Sequence, residues 1–341
     1  MTDSAFQPLR RPVLGHVVEW DQATDRYRVV VAADGQVLHE GALEDCEQRL
    51  VARLEELHGH GRPVVRLPTL GGLQFWSDVF WYADWRIQEN AFTGHHRLLD
   101  PDDWRRAWGT REACRAAFEA IRLEERVTLP ADHLVLLLHG LGRTRGSLAR
   151  LRRALAAAGF ASAAVGYPST RQSIEEHAAG LSGLLDALDG VKRVSFVTHS
   201  LGGIVARHTL ATPAAWQQRI EVGRLAMLAP PSHGSSLADA LREFLPFRLI
   251  AGPSGQELTT AEFDAVPMPT CRFGIVAGGR GDGRGWNPWV PGDDDGVVGV
   301  DEARLPGAED FTMVSGLHSF LMNDPDVVDA VVRYLTTGGF R

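Results

Sequence analysis

From residue 134 to the C-terminus, short apolar runs alternate with segments of helical periodicity, and nothing else in the sequence restricts the fold so tightly. The run 134–138 has no polar face, so as a strand it must be covered on both sides. In 147–158 that follows, Leu148, Leu151 and Leu155 share one helical face, and Gly159 is a stop signal. Residues 161–167 read as the next strand. Ser173 and Glu176 then form a capping box, opening a helix that turns Ile174, His177, Leu181, Leu184 and Leu188 inward. Further strands are expected at 194–197, 225–228, 272–276 and 311–314, with a helix at 201–210. Asp324 and Pro325 start a last helix lined by Val327, Val328, Val331, Val332 and Leu335. Such alternation builds an α/β fold: a mostly parallel, doubly wound sheet with helices on both faces.

The 341 residues, 44% of them apolar, suffice for one large domain and an attached segment. Residues 130–341 are expected to be that domain, and 1–129 a small accessory α+β segment packed on it. In the segment, strands at 13–20 and 26–32 precede the tight-turn pair Asp34-Gly35 and a strand at 36–40. Leu43, Cys46, Leu50, Leu54 and Leu57 recur at helical spacing across 42–58. Residues 71–108 are crowded with aromatics, among them Trp76, Trp81, Trp85, Trp104 and Trp108. Large rings usually serve packing, so the first reading is glue between segment and core. The other reading is a platform for acyl chains or a membrane surface.

A net charge of −8 excludes the clustered basic footprint that a nucleic-acid backbone requires. The basic run 143–153 is spaced as the wet side of a helix. Cys46, Cys114 and Cys271 lie far apart with no CxxC pair, as free thiols in a reducing compartment do. Residues 1–20 hold no apolar signal core, and no apolar run is long enough to span a bilayer, so a cytoplasmic location is expected. His58, His60, His95 and His96 lack metal-ligand spacing, and neither a metal nor a cofactor is expected.

The stretch Val197-Thr198-His199-Ser200-Leu201-Gly202-Gly203 joins a predicted strand to a predicted helix with no room for a loop. A turn that sharp strains the central residue and lifts the Ser200 hydroxyl clear of the sheet, as a nucleophile requires. Gly202 keeps the far side small. On the near side Thr198 stands where the G-x-S-x-G pattern has glycine. The plain alternative is a serine that merely caps a helix. Upstream, His139-Gly140-Leu141-Gly142 follows the first strong strand, and a glycine-bounded bend there turns the Leu141 N–H toward a reacting carbonyl. With the Leu201 N–H it makes a two-donor oxyanion hole. His139, Gly140, His199 and Gly202 are then the supporting residues.

A base and an acid should follow the serine in the order acid, then histidine. His208 lies inside the helix that starts at Ser200, on the wrong end. His233 follows a strand end, where a substrate pocket belongs. His318 hangs between the last strand and the last helix and is the preferred base. Among Asp293, Asp294 and Asp295, the last is backed by Gly296, Val297 and Val298 and is the preferred acid; Asp301 is a more distant candidate. Clustered aspartates in a glycine-rich loop also serve as plain turns or weak cation sites.

With these pieces in hand, residues 129–341 resemble a bacterial lipase or esterase of the α/β-hydrolase superfamily. The resemblance rests on 139–142, 198–203, 295–298 and 316–318, and on Pro230-Pro231-Ser232-His233-Gly234-Ser235, which is similar to the start of the lid in such lipases. It implies a Ser200, Asp295, His318 triad acting on carboxylic esters through an acyl-enzyme. Some members bind calcium through an aspartate two places after the histidine; here Phe320 stands there, which implies no structural calcium. The long connection 235–269 is expected to be a cap, its apolar residues, Phe244 and Phe247 among them, suited to lipid-like acyl groups. The same triad also suits a thioesterase, an acyltransferase or a phospholipid deacylase, and the fold alone a silent lipid- or partner-binding protein. The expected partner is a small ester or lipid, with peripheral membrane contact and no nucleic acid.

Overall fold

The computed structural model describes residues 6–8, 16–31, 33–43, 45–46, 49–50, 74–241, 245–260 and 266–341. The chain divides into two compact units, Met1–Val65 and Arg66–Arg341. The first holds an antiparallel sheet of β1 (Gln7–Pro8), β2 (His16–Asp21), β3 (Arg26–Val31) and β4 (Val37–Gly41), in that order. Gly35 turns between β3 and β4 at φ 73°, as the Asp34-Gly35 pair leads one to expect. Of the helix expected at 42–58, residues 43, 45–46 and 49–50 are helical; 51–58 lie outside the described residues.

The second unit opens with an antiparallel sheet that the sequence did not announce: β5 (Trp76–Tyr82), β6 (Trp85–Asn90), β7 (His96–Leu99) and β8 (Arg105–Gly109). Helix α1 (Arg111–Glu124) is capped by Thr110, whose hydroxyl accepts from the Ala113 N–H. Phe118 of α1 enters a buried cluster with Phe80, Tyr82, Trp85, Ile87 and Leu98. These rings pack, whereas Phe75 and Phe92 at one end of the sheet stay exposed.

The main sheet has six parallel strands in the order β10–β9–β11–β12–β13–β14. In chain order these are β9 (His133–Leu138), β10 (Ala161–Val165), β11 (Arg193–His199), β12 (Glu221–Leu228), β13 (Arg272–Gly279) and β14 (Asp310–Ser315). The apolar run in β9 has its predicted reason. Leu134, Leu136 and Leu138 enter the core on one face, and Val135 and Leu137 the core on the other. Helices α2 (Ala149–Ala157) and α8 (Pro325–Thr337) supply the second of these cores, α3 (Ile174–Asp186) and α4 (Leu201–Ala211) the first. The Ser173–Glu176 capping box forms, and Asp324 caps α8 at the Val327 N–H.

Strand β10 ends the sheet on one side, and β5 covers that edge. The Asp78 N–H donates to the Gly166 carbonyl at 2.8 Å, and the Gly166 N–H to the Asp78 carboxylate at 2.7 Å. Arg86 bridges the same carboxylate (2.7 Å) and the Ala164 carbonyl (3.0 Å), with both its own and the Asp78 side chain only 2% exposed. An unpaired charge would be costly at that depth, so the two residues depend on each other.

Between β12 and β13 run α5 (Ser236–Leu241) and α6 (Leu245–Gln256), which fall within the expected cap. Helix α6 breaks at Gly252, φ 66°, where a Cβ would collide with the Thr170 carbonyl. A Cβ on Gly255 would stand 3.1 Å from Leu141 Cδ2, so α6 passes beside the bend after β9.

Candidate active site

The chain leaves β9 for β10 on one side and returns to β11 on the other. A crevice therefore opens at the carboxyl ends of β9 and β11, where ligands of open α/β sheets bind. Ser200 sits at that point, between β11 and α4, with φ 53° and ψ −123°, a conformation a non-glycine residue adopts only under strain. The tight approach explains Gly202: a Cβ there would stand 2.7 Å from the Leu138 carbonyl oxygen and 2.9 Å from that of His139. Both are backbone atoms of a central strand and its exit. Gly202→Ala is therefore expected to destabilise the protein by about 3 kcal/mol, the scale of core overpacking, read as a lower urea midpoint. An unchanged midpoint would mean the elbow is looser than drawn. Thr198 fits its tight place fully buried, with its hydroxyl 3.5 Å from the Ala226 carbonyl.

The bend after β9 places Leu141 at the same edge. Its shape is held from an unexpected quarter. The Gly142 N–H donates to Ser169 Oγ (3.0 Å), Ser169 Oγ–H to Gln74 Oε1 (3.1 Å), and Gln74 Nε2–H to the Arg143 carbonyl (2.6 Å). Gly142 supplies the left-handed φ of 66° that the bend needs. Neither Leu141 nor Leu201 gives its N–H to an acceptor among the described residues.

His318 follows β14. Its Nδ1–H donates to Asp295 Oδ2 at 2.7 Å, and its backbone N–H to the Asp295 carbonyl at 2.9 Å. The other carboxylate oxygen of Asp295 accepts from the Val297 and Val298 N–H groups at 3.0 and 2.8 Å. The neighbouring aspartates face elsewhere. Asp293 takes the Arg280 and Gly281 N–H groups, and Asp294 those of Asn287 and Gly296. Asp301 is exposed and pairs with Arg304. Gly278 makes room: a Cβ on it would stand 2.7 Å from Asp295 Cβ.

His199 links the pair to the serine. Its Nε2–H donates to the His318 carbonyl at 3.0 Å, and the two rings lie 4.7 Å apart. A Cβ on Gly140 would stand 2.9 Å from its Nδ1. The structure draws no direct hydrogen bond from the Ser200 hydroxyl to the His318 ring; in empty sites such contacts are commonly long and close with substrate.

A second shell of imidazoles surrounds the site. His139 is buried, stacks on Tyr167 at 4.1 Å, and gives Nδ1–H to the Gly140 carbonyl. The Tyr167 hydroxyl donates to the His139 carbonyl, and His177 meets the Tyr167 ring edge-on at 4.9 Å. Burial pushes His139 and His177 each down to about 4, and holds His199 well below the usual range. All three are neutral near pH 7. The other serine–histidine contact, His133 with Ser195 at 3.0 Å, belongs to the opposite, amino end of β9 and β11.

His233 is exposed, on the turn before α5. Phe244 lies outside the described residues; Phe247 falls within α6, its side chain outside what is described. Gln74, Ser169, Tyr167 and His177 were not foreseen as parts of the site. The capping box put His177 on an inward face, but nothing in the sequence near Gln74 points to a bend about seventy residues away.

Parallel strands in this order, a serine on a positive-φ turn between β11 and α4, and a histidine–aspartate pair above the same edge define an α/β-hydrolase fold. No protein-family model matches the chain, and no curated protein matches it in sequence. Among solved structures it is similar to the mature lipase BlEst2 of Bacillus licheniformis, at 20% identity over 55% of this chain and 85% of that one, TM-score 0.47. It is also similar to the metagenomic carboxyl esterase MGS0156, at 18% identity over 60% and 76%, TM-score 0.45. The phospholipase PlaB of Legionella pneumophila follows at 18% over 50% and 45%, TM-score 0.41. Identities this low leave the chemistry to be read from the site itself.

Proposed function

We propose that the protein is a serine hydrolase of carboxylic esters, with lipid-like acyl groups as its substrates. The observation that carries this reading is the 2.7 Å pair of His318 and Asp295, hung above the edge where Ser200 stands strained and half-freed from its helix.

In this reading Asp295 fixes the His318 tautomer, with Nδ1 protonated and Nε2 free to take a proton. As His318 accepts the Ser200 proton, Oγ adds to the ester carbonyl carbon. The oxyanion rests on the Leu141 and Leu201 N–H groups, the second of which is the first helical N–H of α4 and gains from its dipole. His318 then returns the proton to the departing alcohol. Water, deprotonated by the same imidazole, breaks the acyl–Oγ bond and releases the acid. The apolar α5–α6 connection beside Leu141 supports an acyl chain as the group bound there.

The test is labelling with a fluorophosphonate, then locating the modified peptide. Modification at Ser200, suppressed by a carboxylic ester, is the expected result. An unlabelled Ser200 in folded protein would favour a silent binding protein. A panel of esters, thioesters and alcohol acceptors then fixes the leaving group and the acyl acceptor.

A further inference from the structure

Among the described residues of the second unit, large exposed hydrophobics gather around the site, and only Leu123 and Met268 lie elsewhere. Trp286 and Trp289 stand on the loop that leads to Asp295, the latter 63% exposed. Leu317 and Phe320 flank His318, Phe320 at 65%, while Met313 approaches Gly281 to 3.8 Å of its would-be Cβ. On the far side Phe75 and Phe92 pair at 5.8 Å, next to the Gln74 that braces the Leu141 bend. Soluble proteins rarely leave apolar side chains so grouped unless they meet something.

The charges nearby name what they meet. The chain carries −8 overall, yet Arg171 lies 5.9 Å from both Phe75 and Phe92, and Arg280 lies 5.2 Å from Trp286. The loop 280–289 adds an exposed Arg284 against one carboxylate, Asp282, already paired with Arg280 at 3.0 Å. Indole and phenyl rings interleaved with arginines suit the boundary between acyl chains and phosphate headgroups. A second copy is a poor fit, since a self-complementary contact would set arginine against arginine.

We propose that this rim seats the protein on a phospholipid surface bearing acidic headgroups, with the Ser200 edge facing the lipid. The inference deepens the ester-hydrolase reading and rests on it for the substrate; the seating itself is testable without turnover.

The experiment uses full-length Ser200→Ala protein, with and without the triple substitution Phe92→Ser, Trp289→Ser and Phe320→Ser. Co-sedimentation is measured with vesicles of phosphatidylcholine alone or mixed with phosphatidylglycerol. The parent is expected to bind the mixed vesicles about tenfold better than the neutral ones, and the triple variant to lose about tenfold of that binding. In the Ser200 background the same three changes should leave turnover of a water-soluble short-chain ester unchanged. Equal binding by parent and triple variant, or none by either, overturns the proposal. So does a parent dimer in solution that the three substitutions dissolve. If the short ester is not turned over at all, the hydrolase reading fails while the vesicle result stands on its own.

Discussion

Replacing Ser200 with alanine is expected to lower kcat for any turned-over ester by roughly 10⁴- to 10⁶-fold, leaving KM and stability almost unchanged. The size follows from the mechanism: without Oγ there is no acyl-enzyme, and only the two N–H donors and substrate binding remain. Stability should hold because alanine pays no more than serine for the φ of 53°, and the Ser200 side chain caps nothing. Steady-state kinetics and a urea titration on the same preparation separate the two quantities. Turnover within tenfold of the parent would remove Ser200 from the reaction.

The second large effect concerns acid. Above about pH 6.5 both folded and unfolded chains hold their histidines neutral. Between there and 4 the unfolded chain takes up protons at positions 139 and 177 that the folded chain, with both pushed down to about 4, refuses. Protons bound by the unfolded state alone favour unfolding, so stability falls as pH drops through that window and levels off below it. Each imidazole accounts for about 3 kcal/mol, and His199 adds in the same direction. Against a typical total of about 5–15 kcal/mol, that is enough to unfold the protein near pH 4. Urea midpoints at pH 7.5 and 4.5 would show the slope. His177→Leu should flatten it, since neither imidazole nitrogen there finds a hydrogen-bond partner. A midpoint equal at both pH values would contradict the burial argument.

Much of this architecture is legible where one stretch of chain decides its own structure. The Ser173–Glu176 box, the Asp324–Pro325 start and the strand-to-helix step at Ser200 each satisfy a local requirement, and each is found where the residues put it. The sheet of β5 to β8 escaped for an equally local reason. Its first hairpin turns at Ala83 and Asp84, φ 47° and 68°, without the glycine or asparagine that usually signals such a turn. Its strands also lack a clean polar face, because Trp81 faces the main core and Phe80 and Tyr82 a second one. Asp293, Asp294 and Asp295 cannot be told apart as letters. They differ only in which backbone amides and which imidazole the folded loop brings to them. Gln74 is the extreme case, an unremarkable residue given its task by Ser169 and Arg143.

The cover that β5 lays over β10 bears on why the chain carries anything before residue 130. A parallel strand with open amides and carbonyls on its outer side is an invitation to self-association, one molecule extending the sheet of the next. Here Asp78 and Arg86 occupy those groups with a buried ion pair that cannot be shed cheaply. The antiparallel sheet is thus less an ornament on a hydrolase than its safeguard against polymerising.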